Sequence, residues 1–283
     1  MKIPKRLAPL VENGLVDEVV SQLMSGKEAQ VYIVRCGDKI RCAKVYKEAN
    51  QRSFRQASIY QEGRNMRNSR RARAVAKHSR FGRQEQEEAW QSAEVDALYQ
   101  LARAGVRVPE PDTFVDGVLL MELIVDAEGY VAPRLSEVEF TVEQALTYHQ
   151  ELIQQIIKML CAGLIHGDLS EFNILLAADG PVIIDLPQAV NAAGNNSARM
   201  MLDRDVTNMR NFFGQFAPEL LKTEYGKEMW NLYEHGKLTL DSQLTGHFQA
   251  KRGRVDVKNI IKVIDAAKQE AMEKRHSKTG LNT

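Results

Sequence analysis

Alternating apolar and polar positions dominate the first part of the chain, and a helical period dominates the rest. Val19-Val20-Ser21-Gln22-Leu23, Ala29-Gln30-Val31-Tyr32-Ile33-Val34 and Ile40-Arg41-Cys42-Ala43-Lys44-Val45-Tyr46 are rich in β-branched and aromatic residues. Ser25-Gly26-Lys27-Glu28 and Gly37-Asp38 lie between them, so the pattern predicts three antiparallel strands. Residues 1–18, ending around Asn13-Gly14, read as a loosely packed helix. From Gln84 to Arg103 the apolar residues Trp90, Val95, Leu98, Leu101 and Ala102 recur at helical spacing, ending near Gly105. Pro109 and Pro111 mark a loop; Thr113–Val115 and Val118–Ile124 flank the turn pair Asp116-Gly117 as two more strands. The first 124 residues thus predict a five-stranded antiparallel sheet with one helix.

Past a polar linker, Asp126 to Val138, the pattern turns mostly helical. Thr141-Val142-Glu143-Gln144 is a capping box, followed by Leu152, Ile153, Ile156, Ile157 and Leu160 on one face and a stop at Gly163. Two apolar runs, Ile174–Leu176 and Val182–Ile184, bracket Asp179-Gly180 and read as a hairpin; Pro181 leaves its register open by a residue or two. Leu202, Val206, Met209, Phe213 and Phe216 mark another helix, which contains Asp203-Arg204-Asp205. Residues 226–254 read as irregular, and Val257, Ile260, Ile261, Ile264, Ala267 and Ala271 place a final helix over 256–275. The expected class is α+β with two lobes, residues 1–124 and 125–283.

Composition changes this picture in one place. A hydrophobic content of 44% and a net charge of +1 are ordinary for a globular protein. Residues 50–84, however, carry ten cations against the single acid Glu62, with no periodic apolar stripe. They read as a long basic insertion: either a solvated charged loop or, over 52–83, a contact with RNA or an acidic partner. Cys36, Cys42 and Cys161 are scattered without C-x-x-C spacing, which points to a reducing, cytoplasmic setting. No apolar run approaches the length of a membrane span, and Met1 to Leu10 lacks a signal-peptide core.

The chemistry concentrates in His166-Gly167-Asp168-Leu169-Ser170-Glu171-Phe172-Asn173 and in Asp185, twelve residues further on. Folding the hairpin brings Asn173 and Asp185 together at its open end. An amide oxygen beside a carboxylate is a hard-oxygen pair suited to Mg2+, which also takes substrate phosphates. Asp168 stands on the approach, able to orient or deprotonate a hydroxyl. An Asp, an Asn five positions on and an Asp beyond a hairpin form the layout of protein-kinase-type phosphoryl transfer. Lys44, inside an apolar strand, either reaches solvent or holds the α/β-phosphates of a nucleotide. Glu94, mid-helix, is its candidate partner. Lys27 either adds a second cation near the phosphates or is a solvated turn lysine. His149 has no second ligand spaced with it and reads as a packing or surface histidine.

Ser25-Gly26-Lys27-Glu28-Ala29-Gln30-Val31-Tyr32, His166 to Leu175 and Ile183-Ile184-Asp185-Leu186-Pro187-Gln188-Ala189-Val190 resemble the RIO atypical kinases. About twenty residues precede the first strand, too few for the winged helix of the second RIO type, so the resemblance is to the first. It implies a trimmed kinase fold that binds ATP with Mg2+ (or Mn2+) and phosphorylates serine, itself included. It also implies Asp168 as the catalytic aspartate, Asn173 and Asp185 as metal ligands, and Lys44 with Glu94 setting the phosphates. Ser25, Gly26, Lys27, Val31 and Ala43 would line the nucleotide, with Met121 as gatekeeper and Glu122 and Ile124 as hinge. Family members can also hydrolyse ATP through a phospho-aspartate, here Asp185, and serve maturation of the small ribosomal subunit. The basic insertion is longer and richer in arginine than the family's loop.

Two rival readings remain open. His-Gly-Asp-Leu-x-x-x-Asn also occurs in small-molecule phosphotransferases of the aminoglycoside-kinase type. The Ser-Gly-Lys-Glu-Ala loop, the basic insertion and Leu-Pro-Gln-Ala after Asp185 argue against that class. The second rival is an ATP-gated module that docks on RNA or ribosomal particles. The protein substrate cannot be read from the chain.

Overall fold

The computed structural model describes residues 3–26, 29–47 and 80–248, with the backbone alone for residues 80–90 and Ser92. Lys27, the basic insertion up to residue 79 and the helix expected over 256–275 lie outside the described residues. The described residues fall within one compact unit.

A short helix α1, Ala8–Glu12, precedes strands β1 (Glu18–Ser25), β2 (Ala29–Cys36) and β3 (Lys39–Tyr46). Helix α2, Arg80–Arg103, then leads to β4 (Pro111–Val115) and β5 (Val118–Glu122). All five strands pair antiparallel in the order β1-β2-β3-β5-β4. Because side chains alternate across a strand, the sheet has two apolar faces, and each needs a cover. Helix α2 takes one: Val95, Leu98 and Leu101 join Ala29, Tyr46 and Leu119 in the main core. The segment around α1 takes the other, where Leu7, Leu10 and Val16 pack on Tyr32, Val34, Ala43, Val45, Val118 and Leu120. Leu7 and Leu10 are at most 1% exposed, so this segment is not the loosely packed helix its mixed composition suggests. It closes the face that α2 leaves open.

The expected polar linker is also structured. Val125 bridges to Val131, and Leu135, fully buried, opens a 3-10 turn over Leu135–Glu137. Helix α3, Val142–Cys161, starts at the predicted capping box. Thr141 Oγ1 accepts from Gln144 N at 3.2 Å, and Gln144 Oε1 accepts from Thr141 N at 3.0 Å. Gly163, with φ +80°, turns the chain out of the helix into β6 (Leu164–Ile165). The hairpin is β7, Ile174–Ala177, and β8, Gly180–Ile183; β9, Val190–Asn191, pairs with β6. Its register runs from Ile174 opposite Ile183 to Ala177 opposite Gly180. The chain therefore reverses at Ala178-Asp179, one residue earlier than the Asp-Gly pair suggested.

Helix α4, Ala198–Phe213, and helix α5, Tyr225–Glu234, complete the larger lobe, with a 3-10 stretch at Pro218–Lys222 between them. Helix α5 replaces the irregular structure expected from residue 226. Its apolar positions are few, but Met229 is fully buried, Trp230 and Tyr233 pack on the core, and Gly226 lets it lie against Asp203.

Candidate active site

Strand β3 carries Lys44 on the face that α2 covers. Its ammonium donates to Glu94 Oε1 from α2 and to Asp185 Oδ1, at 3.1 Å, beyond β8. The second oxygen of Glu94 accepts from the Tyr46 hydroxyl at 2.8 Å. Tyr46 lies two residues after Lys44 on the same face, with its ring centroid 5.5 Å from the ammonium. Glu94 is 4% exposed, so both its oxygens are paired where water is scarce. Burial alone would lower the pKa of Lys44; Glu94 and Asp185 outweigh it and hold the ammonium well above its ordinary value. Burial would likewise raise Asp185, but Lys44 holds that carboxyl below the usual range. The three charged groups stabilise one another across the lobes.

Asn173 and Asp185 meet at the open end of the hairpin, where Ile184 N donates to Asn173 O at 3.0 Å. The Asn173 side-chain nitrogen donates to the Asp168 carbonyl at 2.8 Å. A carbonyl can only accept, so the amide nitrogen must face it, which turns the amide oxygen away. Asp185 has φ +66°, a left-handed conformation rare outside glycine, and its side chain is 46% exposed. Among the described residues no three His, Cys, Asp or Glu side chains cluster as a metal site. The donors available are one amide oxygen and one carboxylate, a set that suits Mg2+ completed by phosphate and water.

Asp168 is exposed. Its Oδ2 accepts from Gln188 Nε2 at 3.3 Å. Burial raises its pKa, His166 and Arg204 oppose this, and Asp185 adds to it. The backbone around Asp168 is held from α4: Asp205 accepts from Gly167 N at 2.8 Å and from Leu169 N at 3.1 Å. Asn208 donates to Leu169 O at 2.9 Å, and Arg204 donates to Gly167 O. His166 Nε2 lies 3.1 Å from Ile184 O, tying the loop to the chain next to Asp185. Asp205 is 1% exposed, and burial pushes its carboxyl up to about 6. The sequence reading gave it no role. The available signal was its place between Leu202 and Met209 on the apolar face of α4, where a carboxylate needs buried donors.

Of the expected nucleotide-lining residues, Val31 pairs with Lys44 across the β2–β3 ladder and shares its face. Met121, half-buried, is opposite Cys42 on that face. Ser25 ends β1 and Gly26 follows it, and Gly26 O accepts from Lys47 Nζ at 2.5 Å. Ala43 is a correction. As the immediate neighbour of Lys44 it points to the opposite face, into the cluster with Leu7 and Leu10. Cys42, two residues from Lys44, occupies the cleft face instead, and burial lifts its thiol to about 12. At the expected hinge, Glu122 N donates to Glu110 O at 2.8 Å and Ile124 O accepts from Ala132 N at 3.0 Å. The Glu122 side chain turns to Arg107, with contacts of 2.8 and 3.1 Å. His149 is buried on α3 between Phe213 and Tyr225, the packing rather than the surface alternative.

A family model described as the RIO domain matches residues 30–225, a span that contains Lys44, Glu94, Asp168, Asn173 and Asp185. The chain belongs to the RIO family. It is 35% identical over 207 residues to the RIO-type serine/threonine-protein kinase Rio1 of Haloferax volcanii, covering 72% of this chain and 66% of that protein. To the serine/threonine-protein kinase rio1 of Schizosaccharomyces pombe it is 29% identical over 216 residues, covering 73% and 40%. The chain thus spans less than two thirds of either relative's own length. Crystal structures of the Rio2 kinase from Chaetomium thermophilum share the fold. One superposes with TM-score 0.57 at 24% identity over 96% of this chain and 82% of that one. Another, described as an ADP/Mg2+-phosphoaspartate complex, gives 0.54 at 24% identity over 95% and 75%. The RIO domain here is accordingly a two-lobed, kinase-like fold.

Proposed function

We propose that this RIO domain binds ATP with Mg2+ between its lobes and transfers the γ-phosphoryl group to serine hydroxyls, its own included. The observation that carries this reading is Lys44, which touches Glu94 of the small lobe and Asp185 of the large one. In that position its ammonium faces the α/β-phosphates, while Glu94 and Tyr46 keep it from swinging away. Val31, Cys42 and Met121 flank the adenine, and backbone groups of the Glu122–Ile124 hinge meet its edge. Asn173 and Asp185 would hold the metal, Mn2+ serving as substitute; the cation, when bound, neutralises charge on the phosphates. Asp168 accepts the hydroxyl proton as the oxygen bonds to phosphorus and the ADP oxygen leaves.

Incubating the purified protein with γ-labelled ATP, with and without Mg2+, tests this. Label stable to acid on protein serine, abolished in Asp168→Asn, is the expected result. Absence of any Mg2+-dependent transfer or hydrolysis in the wild type would overturn it. A second reading is ATP hydrolysis through an acyl phosphate on Asp185: its carboxylate oxygen bonds the γ-phosphorus, ADP leaves, and water then releases phosphate. The phosphoaspartate described for the Chaetomium Rio2 structure and the exposed, ionised carboxylate of Asp185 favour it. Label released by neutral hydroxylamine marks the acyl phosphate on Asp185, and label that resists it marks serine. The arginines of 52–83 support a contact with RNA or ribosomal particles, which should weaken steeply with salt. The three free cysteines support a reducing, cytoplasmic location. Among the described residues, no helix is long and apolar enough to cross a membrane.

A further inference from the structure

Arg107 lies in the loop between α2 and β4, its backbone fixed by buried neighbours Val106 and Val108. Its guanidinium forks onto Glu122, Nη1 to Oε2 at 2.8 Å and Nη2 to Oε1 at 3.1 Å. The same group reaches Asp179 in the β7–β8 turn, Nε to Oδ2 at 3.0 Å and Nη2 to Oδ1 at 3.3 Å. Arg107 N donates to Gln155 Oε1 of α3 at 2.8 Å, and Arg107 O accepts from Ile183 N of β8 at 3.0 Å. One residue therefore joins the end of β5 to both ends of the hairpin that carries Asn173 and Asp185.

We propose that Arg107 is a positioning residue that holds the hinge and the metal-bearing hairpin in one register, so that ATP meets both ends of its site at once. This rests on the nucleotide-site reading above. A bidentate arginine–carboxylate fork fixes orientation as well as distance, which a point charge does not. A ligand that spans two sub-sites gains from their being pre-set, whereas a fragment touching one of them does not. The register is thus worth something to ATP and nothing to adenosine or to tripolyphosphate alone. Arg107 also borders an open cleft of about 690 Å3 shared with Glu151, Lys158 and Asp179, so shortening its side chain leaves no sealed void.

Displacement of a fluorescent ATP analogue, in Mg2+, gives Kd for ATP, adenosine and tripolyphosphate on the full chain. Arg107→Gln is expected to weaken ATP about tenfold, while each fragment changes less than about twofold. Arg107→Lys, which keeps the charge and loses the fork, falls between. Unchanged ATP binding, or fragments weakened as much as ATP, overturns the proposal; the second result would mean that Arg107 merely supports local folding. Should Arg107→Gln fail to fold, Asp179→Ala decides, since it removes the exposed arm alone: a loss confined to ATP supports the register, no loss overturns it. A wild type that binds no ATP would sink the nucleotide reading and this inference with it. A wild type that binds ATP no better than Arg107→Gln sinks the inference alone.

Discussion

Asp205→Asn separates the loop's geometry from the stability of the fold. The Asp205 carboxylate is 1% exposed and holds the amides on either side of Asp168, at 2.8 and 3.1 Å. Burial raises its carboxyl to about 6, against the pull of His166 and the two amides. Keeping it ionised at pH 7 therefore costs about 3 kcal/mol relative to an exposed aspartate. Asparagine removes that cost but turns an NH2 group toward one amide, and an orphaned buried amide costs about 1–3 kcal/mol. The net change at pH 7 should stay within about 2 kcal/mol in urea unfolding. Folded Asp205 binds its proton more tightly than the unfolded chain. Its contribution is thus fully present below the unfolded value and lost as pH rises through about 6. Between pH 7 and pH 4.5 the wild type should gain about 2 kcal/mol on the variant. Phosphoryl transfer at pH 7 should fall about a hundredfold, because an ångström of drift at Asp168 is enough. A stability difference that does not change with pH, or a variant with wild-type kcat, would refute the clamp.

His149 titrates the opposite way. Burial lowers it to about 4, so stability present above pH 6.5 is lost as pH falls toward 4. His149→Phe should therefore gain about 2.5 kcal/mol on the wild type between pH 7 and pH 4.5, as read by urea unfolding; parallel curves would sink the assignment. Tyr46→Phe strips one partner from the buried Glu94 carboxylate and should raise the ATP Kd about tenfold; an unchanged Kd would show that the ion pair stands without it. Gln188→Met keeps the volume and removes the donor to Asp168 Oδ2, so kcat should drop several-fold with the ATP KM steady; a change in KM alone counts against that contact.

The strand and helix patterns, the capping box and the order Lys44, Glu94, Asp168, Asn173, Asp185 were legible in the chain, because each rests on local periodicity or short spacing. The hairpin was legible too, though its reversal at Ala178-Asp179 was displaced by one residue. A similar one-residue difference mattered more at β3. Alternation places Cys42, not Ala43, beside the cleft, a consequence of the two-residue period that the motif resemblance overrode. Helix α5 went unread because ten residues carry too few apolar positions to show a period. The segment before β1 looked loose because its burial depends on a sheet face built by residues far along the chain.

The sequence by itself determined which side chains carry charge and in what order they occur, because strand, helix and turn preferences act over a few neighbours. Only the tertiary structure decided that Asp205 grips the loop around Asp168 and that Arg107 joins Glu122 to Asp179, pairs 38 and 36 residues apart from Gly167 to Asp205 and from Leu169 to Asp205, and 15 and 72 residues apart for Arg107. Such partners are chosen by which elements pack together. A buried carboxylate or guanidinium settles against whatever donors and acceptors that packing presents, and no local pattern records them.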